Sequence, residues 1–134
     1  MDIQKAAEFC ETVNGKPWVN RAEGPDAYDC WGLVLASFRD IDGIELPQVE
    51  GYTDKKCKTS DAADQLFATG KFMPSQPCDG AIMCIFDTKG RLEHVGRCLC
   101  GRVAHATSAL GVRLESYSVI MSRYNNVKYF RYAG

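Results

Sequence analysis

The hydrophobic pattern changes period near Pro77, and that change decides the fold class. Before it, apolar residues recur at helical spacing. After it, they alternate or run in short blocks bounded by turn residues. Ile3, Ala6, Ala7, Cys10 and Val13 form one helical stripe over residues 3–13. Asp2 is placed to cap it, and Asn14-Gly15 followed by Pro17 to end it. A loop through Gly24-Pro25-Asp26 leads to a second stripe, Cys30, Leu33, Val34, Phe38 and Ile41, which stops at Asp42-Gly43. Residues 44–59 are turn-rich, with Leu46-Pro47 and Gly51. Ser60 or Asp61 can cap a third, short helix through Ala63, Leu66 and Phe67, closed by Gly70. Beyond Pro77, Ala81–Phe86 is a continuous apolar run of the kind found in a central strand. Asp87-Thr88-Lys89-Gly90 is a turn, and Leu92–Leu99, Arg102–Thr107, Val112–Glu115 and Val127–Tyr132 read as further strands. Helices followed by strands predict an α+β fold with a mostly antiparallel sheet.

The chain has 134 residues, enough for one domain spanning 1–134 and one modest core. Its formal net charge of −1 removes the basic excess that nucleic-acid binding or an anionic membrane would call for. Lys55, Lys56 and Lys58 form a small basic run that reads as a solvated loop. No apolar run approaches the ~18 residues of a membrane span. Met1-Asp2-Ile3-Gln4-Lys5 lacks the basic region and long apolar core of a secretory signal, so synthesis in the cytoplasm is expected. The seven cysteines are an odd number, and without a signal peptide they read as reduced thiols, most of them small buried apolar residues. Cys98 and Cys100 lack a second pair at zinc-ligand spacing, so neither a metal nor another cofactor is expected.

One cysteine differs from the rest. In Tyr28-Asp29-Cys30-Trp31-Gly32-Leu33-Val34, Asp29 is a natural N-cap and Cys30 is the first residue of an apolar helix. The partial positive charge at a helix start favours thiolate over thiol. The chain has two histidines, His94 and His105, both downstream. A cysteine early and histidines late is one layout of a cysteine hydrolase.

The histidines fall on one hairpin if Cys100-Gly101 is a two-residue turn. Leu99 then pairs with Arg102, Cys98 with Val103 and Gly96 with His105. His94 and His105 become diagonal neighbours on one face, with backbones about 7–8 Å apart. Gly96 leaves room for an imidazole to lean across. A slip of one residue would send the rings to opposite faces.

These residues together resemble the NlpC/P60 family of papain-like cysteine peptidases. Gly15-Lys16-Pro17-Trp18 resembles the segment before the nucleophile, and Asp29-Cys30-Trp31-Gly32-Leu33-Val34 the nucleophile motif. Cys78-Asp79-Gly80-Ala81-Ile82 is similar to the lead into the first core strand. Glu93-His94-Val95-Gly96 resembles the catalytic histidine strand, and Gly101-Arg102-Val103-Ala104-His105-Ala106 the strand carrying the third polar residue. Trp31 and the closing Tyr129-Phe130-Arg131-Tyr132 are most similar to the phage-tail branch.

The resemblance implies N-terminal helices packed on a five- or six-stranded, mostly antiparallel sheet. It implies Cys30 as nucleophile, His94 as base and His105 as the residue that orients His94. The Cys30 amide would help hold the oxyanion. Trp18 stands where many members carry a tyrosine and would assist the oxyanion or wall the cleft. Trp31 stands where many carry a serine and would alter recognition of the stem peptide. Asp29 could meet a substrate amine, although its capping role accounts for it. The implied substrate is the peptidoglycan stem peptide, usually its γ-D-glutamyl–diamino acid bond. The implied setting is a bacterial cytoplasm followed by a phage tail, with other tail proteins as partners. Two alternatives share the fold: a non-catalytic tail-assembly or binding module, and an acyl or amide transferase using the same thioester.

Overall fold

The computed structural model describes residues 1–48 and 69–134. The expected third helix around Ala63–Phe67 and the Lys55–Lys58 run lie outside the described residues. Two helices open the chain: α1 (Ile3–Val13) and α2 (Cys30–Ser37). Asp2 caps α1 by accepting from the Lys5 N–H. Ala6, Phe9, Cys10 and Val13 are the buried stripe of α1. Helix α2 is apolar on every side and buried from Trp31 to Ser37, which fits a helix enclosed by the rest of the protein. It continues into a wider π-helical turn, Phe38–Asp42, closed by Gly43 at a left-handed φ of 67°.

Among the described residues six strands follow: β1 (Phe72–Ser75), β2 (Ile82–Phe86), β3 (Leu92–Leu99), β4 (Arg102–Thr107), β5 (Gly111–Ser116) and β6 (Val127–Tyr132). They form one sheet in the order β1-β6-β2-β3-β4-β5 with every pair antiparallel. Two elements extend the sequence reading. Strand β1 is short and carries Pro74, which suits the sheet edge it occupies. Helix α3 (Tyr117–Arg123) is capped by Ser116, whose hydroxyl accepts from the Val119 N–H.

The sheet has apolar side chains on both faces. On one face Val95, Ile82 and Cys84 pack under Trp31, Val34 and Phe38, and Leu99 and Ala104 under Leu33 and α1. On the other, Met83, Ile85, Cys98 and Val103 pack with Ile120 of α3 and with Tyr129. Arg97 ties the first face to the π-helical turn. Its guanidinium lies 3.6 Å from the centre of the Phe38 ring and 2.8 Å from Asp42. It also donates to the Ser37 hydroxyl and the Gly80 carbonyl.

Candidate active site

Residues before α2 fix where Cys30 sits. The Tyr28 N–H bonds to the Pro17 carbonyl and the Asp29 N–H to the Ala22 carbonyl, both at 3.0 Å. Asp29 is fully buried and caps α2. One of its oxygens accepts from Gly32 N–H at 2.7 Å and the other from Arg21 N–H at 2.6 Å. A carboxylate enclosed in this way serves the cap. Gly32 is required by packing: a Cβ there would lie 1.8 Å from the Ala22 carbonyl oxygen.

Cys30 is half-buried at the helix tip. Its sulfur lies against the Val95 backbone N–H, next to His94 in the chain, as well as the amides of Trp31 and Cys30 itself. Those amides favour the thiolate, as a helix start should. Burial and then the adjacent Asp29 charge outweigh them, and the thiol is pushed up to about 12. Desolvation thus works against the preformed thiolate that the helix start alone favours.

The hairpin has the register expected from its turn. Leu99 pairs with Arg102, Cys98 with Val103 and Arg97 with Ala104. Cys100 and Gly101 both have positive φ, 52° and 73°, as a type I′ turn demands. Ladder pairing of β3 with β4 covers Arg97, Cys98 and Leu99; the expected Gly96–His105 pair is not part of the ladder, although a Cβ on Gly96 would come within 2.9 Å of the His105 Cβ. The imidazoles meet, with His94 Nε2 and His105 Nδ1 2.8 Å apart and the rings at 68°. His94 pairs with Ile85 on the α3 side of the sheet, while Val95 belongs to the α2 side. Cys30 itself packs with the α2-side cluster.

Burial is the largest influence on His94 and, with the neighbouring His105, takes it down to about 3. Burial also lowers His105, against an opposing pull from Glu115. Both rings are neutral near physiological pH. The sequence reading missed what stands behind them. His105 Nε2 is 2.9 Å from Glu115 Oε1. Arg123 donates to both Glu115 oxygens, at 3.0 and 2.8 Å. The signal was present in the β4–β5 register, because pairing His105 with Arg113 and Val103 with Glu115 makes Glu115 a diagonal neighbour of His105.

The tryptophans lie close to this centre in different ways. Trp18 is half-buried, bridges Tyr28 and packs on the α1-side core. Trp31 is 3% exposed, and its indole N–H donates to the Pro47 carbonyl. It anchors the segment after α2 from within the core. The described cysteines are free thiols. Cys98 points into the α3-side core and Cys100 toward Cys10, so the two do not converge on one point.

A helix-tip cysteine laid on an antiparallel sheet that carries paired histidines defines the class. The chain belongs to the NlpC/P60 family, whose profile matches residues 15–131. Solved structures agree on the fold. The chain is similar to a Staphylococcus aureus protein described as similar to a lipoprotein of the NLP/P60 family, with 19% identity and a TM-score of 0.62 over 98% of this chain and 41% of that one. It is similar to the NlpC/p60 domain of the peptidoglycan hydrolase SagA, with 16% identity and a TM-score of 0.60 over 96% of this chain and 98% of that domain. NlpC1 from Trichomonas vaginalis gives 23% identity and 0.60 over 96% of this chain and 42% of that one. The chain thus spans about two fifths of the Staphylococcus and Trichomonas proteins. No curated protein sequence matches it. Among the described residues, no helix is long and apolar enough to cross a membrane.

Proposed function

We propose that this protein is a cysteine peptidase that hydrolyses amide bonds of peptidoglycan stem peptides. The carrying observation is the 2.8 Å contact between His94 and His105 at the place where the Cys30-bearing helix tip meets β3. Family membership and a similar domain from a peptidoglycan hydrolase support the substrate class. The γ-D-glutamyl–diamino acid bond is the bond proposed.

Because Cys30 and His94 both rest neutral, proton transfer accompanies attack. His94 takes the thiol proton as sulfur adds to the carbonyl carbon. The helix-start amides would receive the oxyanion. Collapse of the adduct expels the amine, which takes that proton from His94, and leaves a Cys30 thioester. His94 then activates water to release the acid and the thiol. His105 orients His94.

The test is digestion of purified peptidoglycan, with new amines and stem fragments read by mass spectrometry. Wild type should release fragments, and a folded Cys30→Ala should release none. Silence of wild type across several wall chemotypes overturns the reading. The neutral, half-buried thiol favours one alternative, a binding module of the same fold, and fragment release decides against it. An acyl transferase would instead divert product to added amines. Carriage on a phage tail, with other tail proteins as partners, belongs to the proposal and is checked by finding the protein in purified virions.

A further inference from the structure

We propose that Glu115, held by Arg123, is a positioning residue that sets the tautomer of both histidines and thereby decides which nitrogen of His94 is the base. This rests on the Cys30–His94–His105 reading above.

The tautomers follow from matching donors to acceptors. Arg123 grips both oxygens of Glu115, and together with His105 it keeps that carboxyl below its usual range. An ionised carboxylate can only accept. His105 Nε2, 2.9 Å away, must therefore carry the proton. A neutral imidazole has one N–H, so His105 Nδ1 is a bare acceptor. The ring nitrogen facing it at 2.8 Å, His94 Nε2, must then donate. His94 is left with an unprotonated Nδ1, the lone pair that a thiol proton needs. Without an acceptor behind His105, the central hydrogen bond can reverse. His94 Nε2 would then accept, its Nδ1 would carry hydrogen, and no base would remain.

The anchoring is local. Glu115 lies near the end of β5, and Ser116, the next residue, caps α3. Arg123 closes that seven-residue helix and returns to Glu115. His105 is fully buried, so water does not compete for its Nε2.

The experiment is a long-range proton–nitrogen correlation of the histidine rings in the full chain at near-neutral pH, with uniform nitrogen-15 labelling. Wild type should show hydrogen on Nε2 of both rings. In Glu115→Gln, Arg123 claims the amide oxygen and the amide NH2 turns to His105. Both tautomers should then reverse. With a cleavable stem peptide, kcat should fall by about 10³–10⁴-fold, as for a wrong-tautomer base, with KM little changed. Glu115→Asp should restore the wild-type tautomers and part of kcat. A wild-type spectrum with hydrogen on His105 Nδ1, or with a doubly protonated ring, overturns the proposal without any variant. So does a folded Glu115→Gln that keeps the wild-type tautomers. The spectra need no substrate, so an inactive wild type with the expected tautomers sinks the peptidase reading and leaves this one standing.

Discussion

Gly96 lies face to face with His105: a Cβ on Gly96 would come within 2.9 Å of the His105 Cβ and 2.8 Å of the Ala104 carbonyl oxygen. The absent side chain lets β4 come close while the His105 ring leans toward His94. Gly96→Ala should therefore push the strands apart at the histidine pair. The expected cost is about 1–3 kcal/mol from overpacking, with peptide cleavage lost in protein that still folds. Thermal denaturation and ring spectra would check this. Intact ring contact and full activity in Gly96→Ala would show that the close approach is incidental.

Asp29 works for the fold and against the thiolate. Replacing it by alanine removes an N-cap and the carboxylate that accepts from two backbone N–H groups, those of Gly32 and Arg21. The expected loss is about 2–4 kcal/mol of stability. Asparagine keeps one acceptor and removes the charge. Asp29→Asn should cost about 1–3 kcal/mol and lower the Cys30 pKa, because the Asp29 charge raises it. Alkylation of Cys30 across a pH series, followed by peptide mapping, reads the shift. An unchanged or later onset would show that the carboxylate does not bear on the sulfur.

Acid should destabilise the protein through its histidines. The His94 pKa is about 3 when folded, against an ordinary value of 6.5. Between these values the unfolded chain binds the extra proton and the folded chain does not. Stability from this group is complete above the unfolded pKa and falls as pH drops toward 3. The slope is at most about 1.4 kcal/mol per pH unit for one such group, and His105 adds in the same direction. Chemical denaturation at a series of pH values should show the decline, and His94→Gln should flatten it. An equally steep curve in that variant would assign the acid sensitivity elsewhere.

Arg97 should be among the costlier residues to truncate. It is 3% exposed and pairs with Asp42 while stacking on Phe38. Arg97→Ala strips a partly buried carboxylate of its partner and opens a cavity under the π-helical turn. About 3–5 kcal/mol is expected. A loss below about 1 kcal/mol in a denaturant titration would mean the pair is merely a surface contact.

Local features of the sequence carried much of the site. The Asp29 cap and the paired strands are short-range patterns, and the structure reproduces them; of the expected α1 stripe Ala6, Cys10 and Val13 are buried, whereas Ile3 and Ala7 are exposed and Phe9 is buried in addition. Two residues with positive φ, Cys100 and Gly101, fix the β3–β4 register. Because side chains alternate with a period of two, that register alone places His94 and His105 on one face. Periodicity did not reveal β1, whose Phe72 is its one buried residue. Nor did it reveal α3, which buries Ile120 alone.

The order of residues was enough to give the α+β arrangement, the helix-borne cysteine and the histidine pair, since each is written within a few neighbouring positions. Packing in three dimensions was needed to bring Glu115 and Arg123 behind His105 and to turn Trp31 into the core. It also set burial against charge on both Cys30 and His94. These outcomes depend on which strands lie side by side and how much water the packing excludes, and no local pattern encodes either.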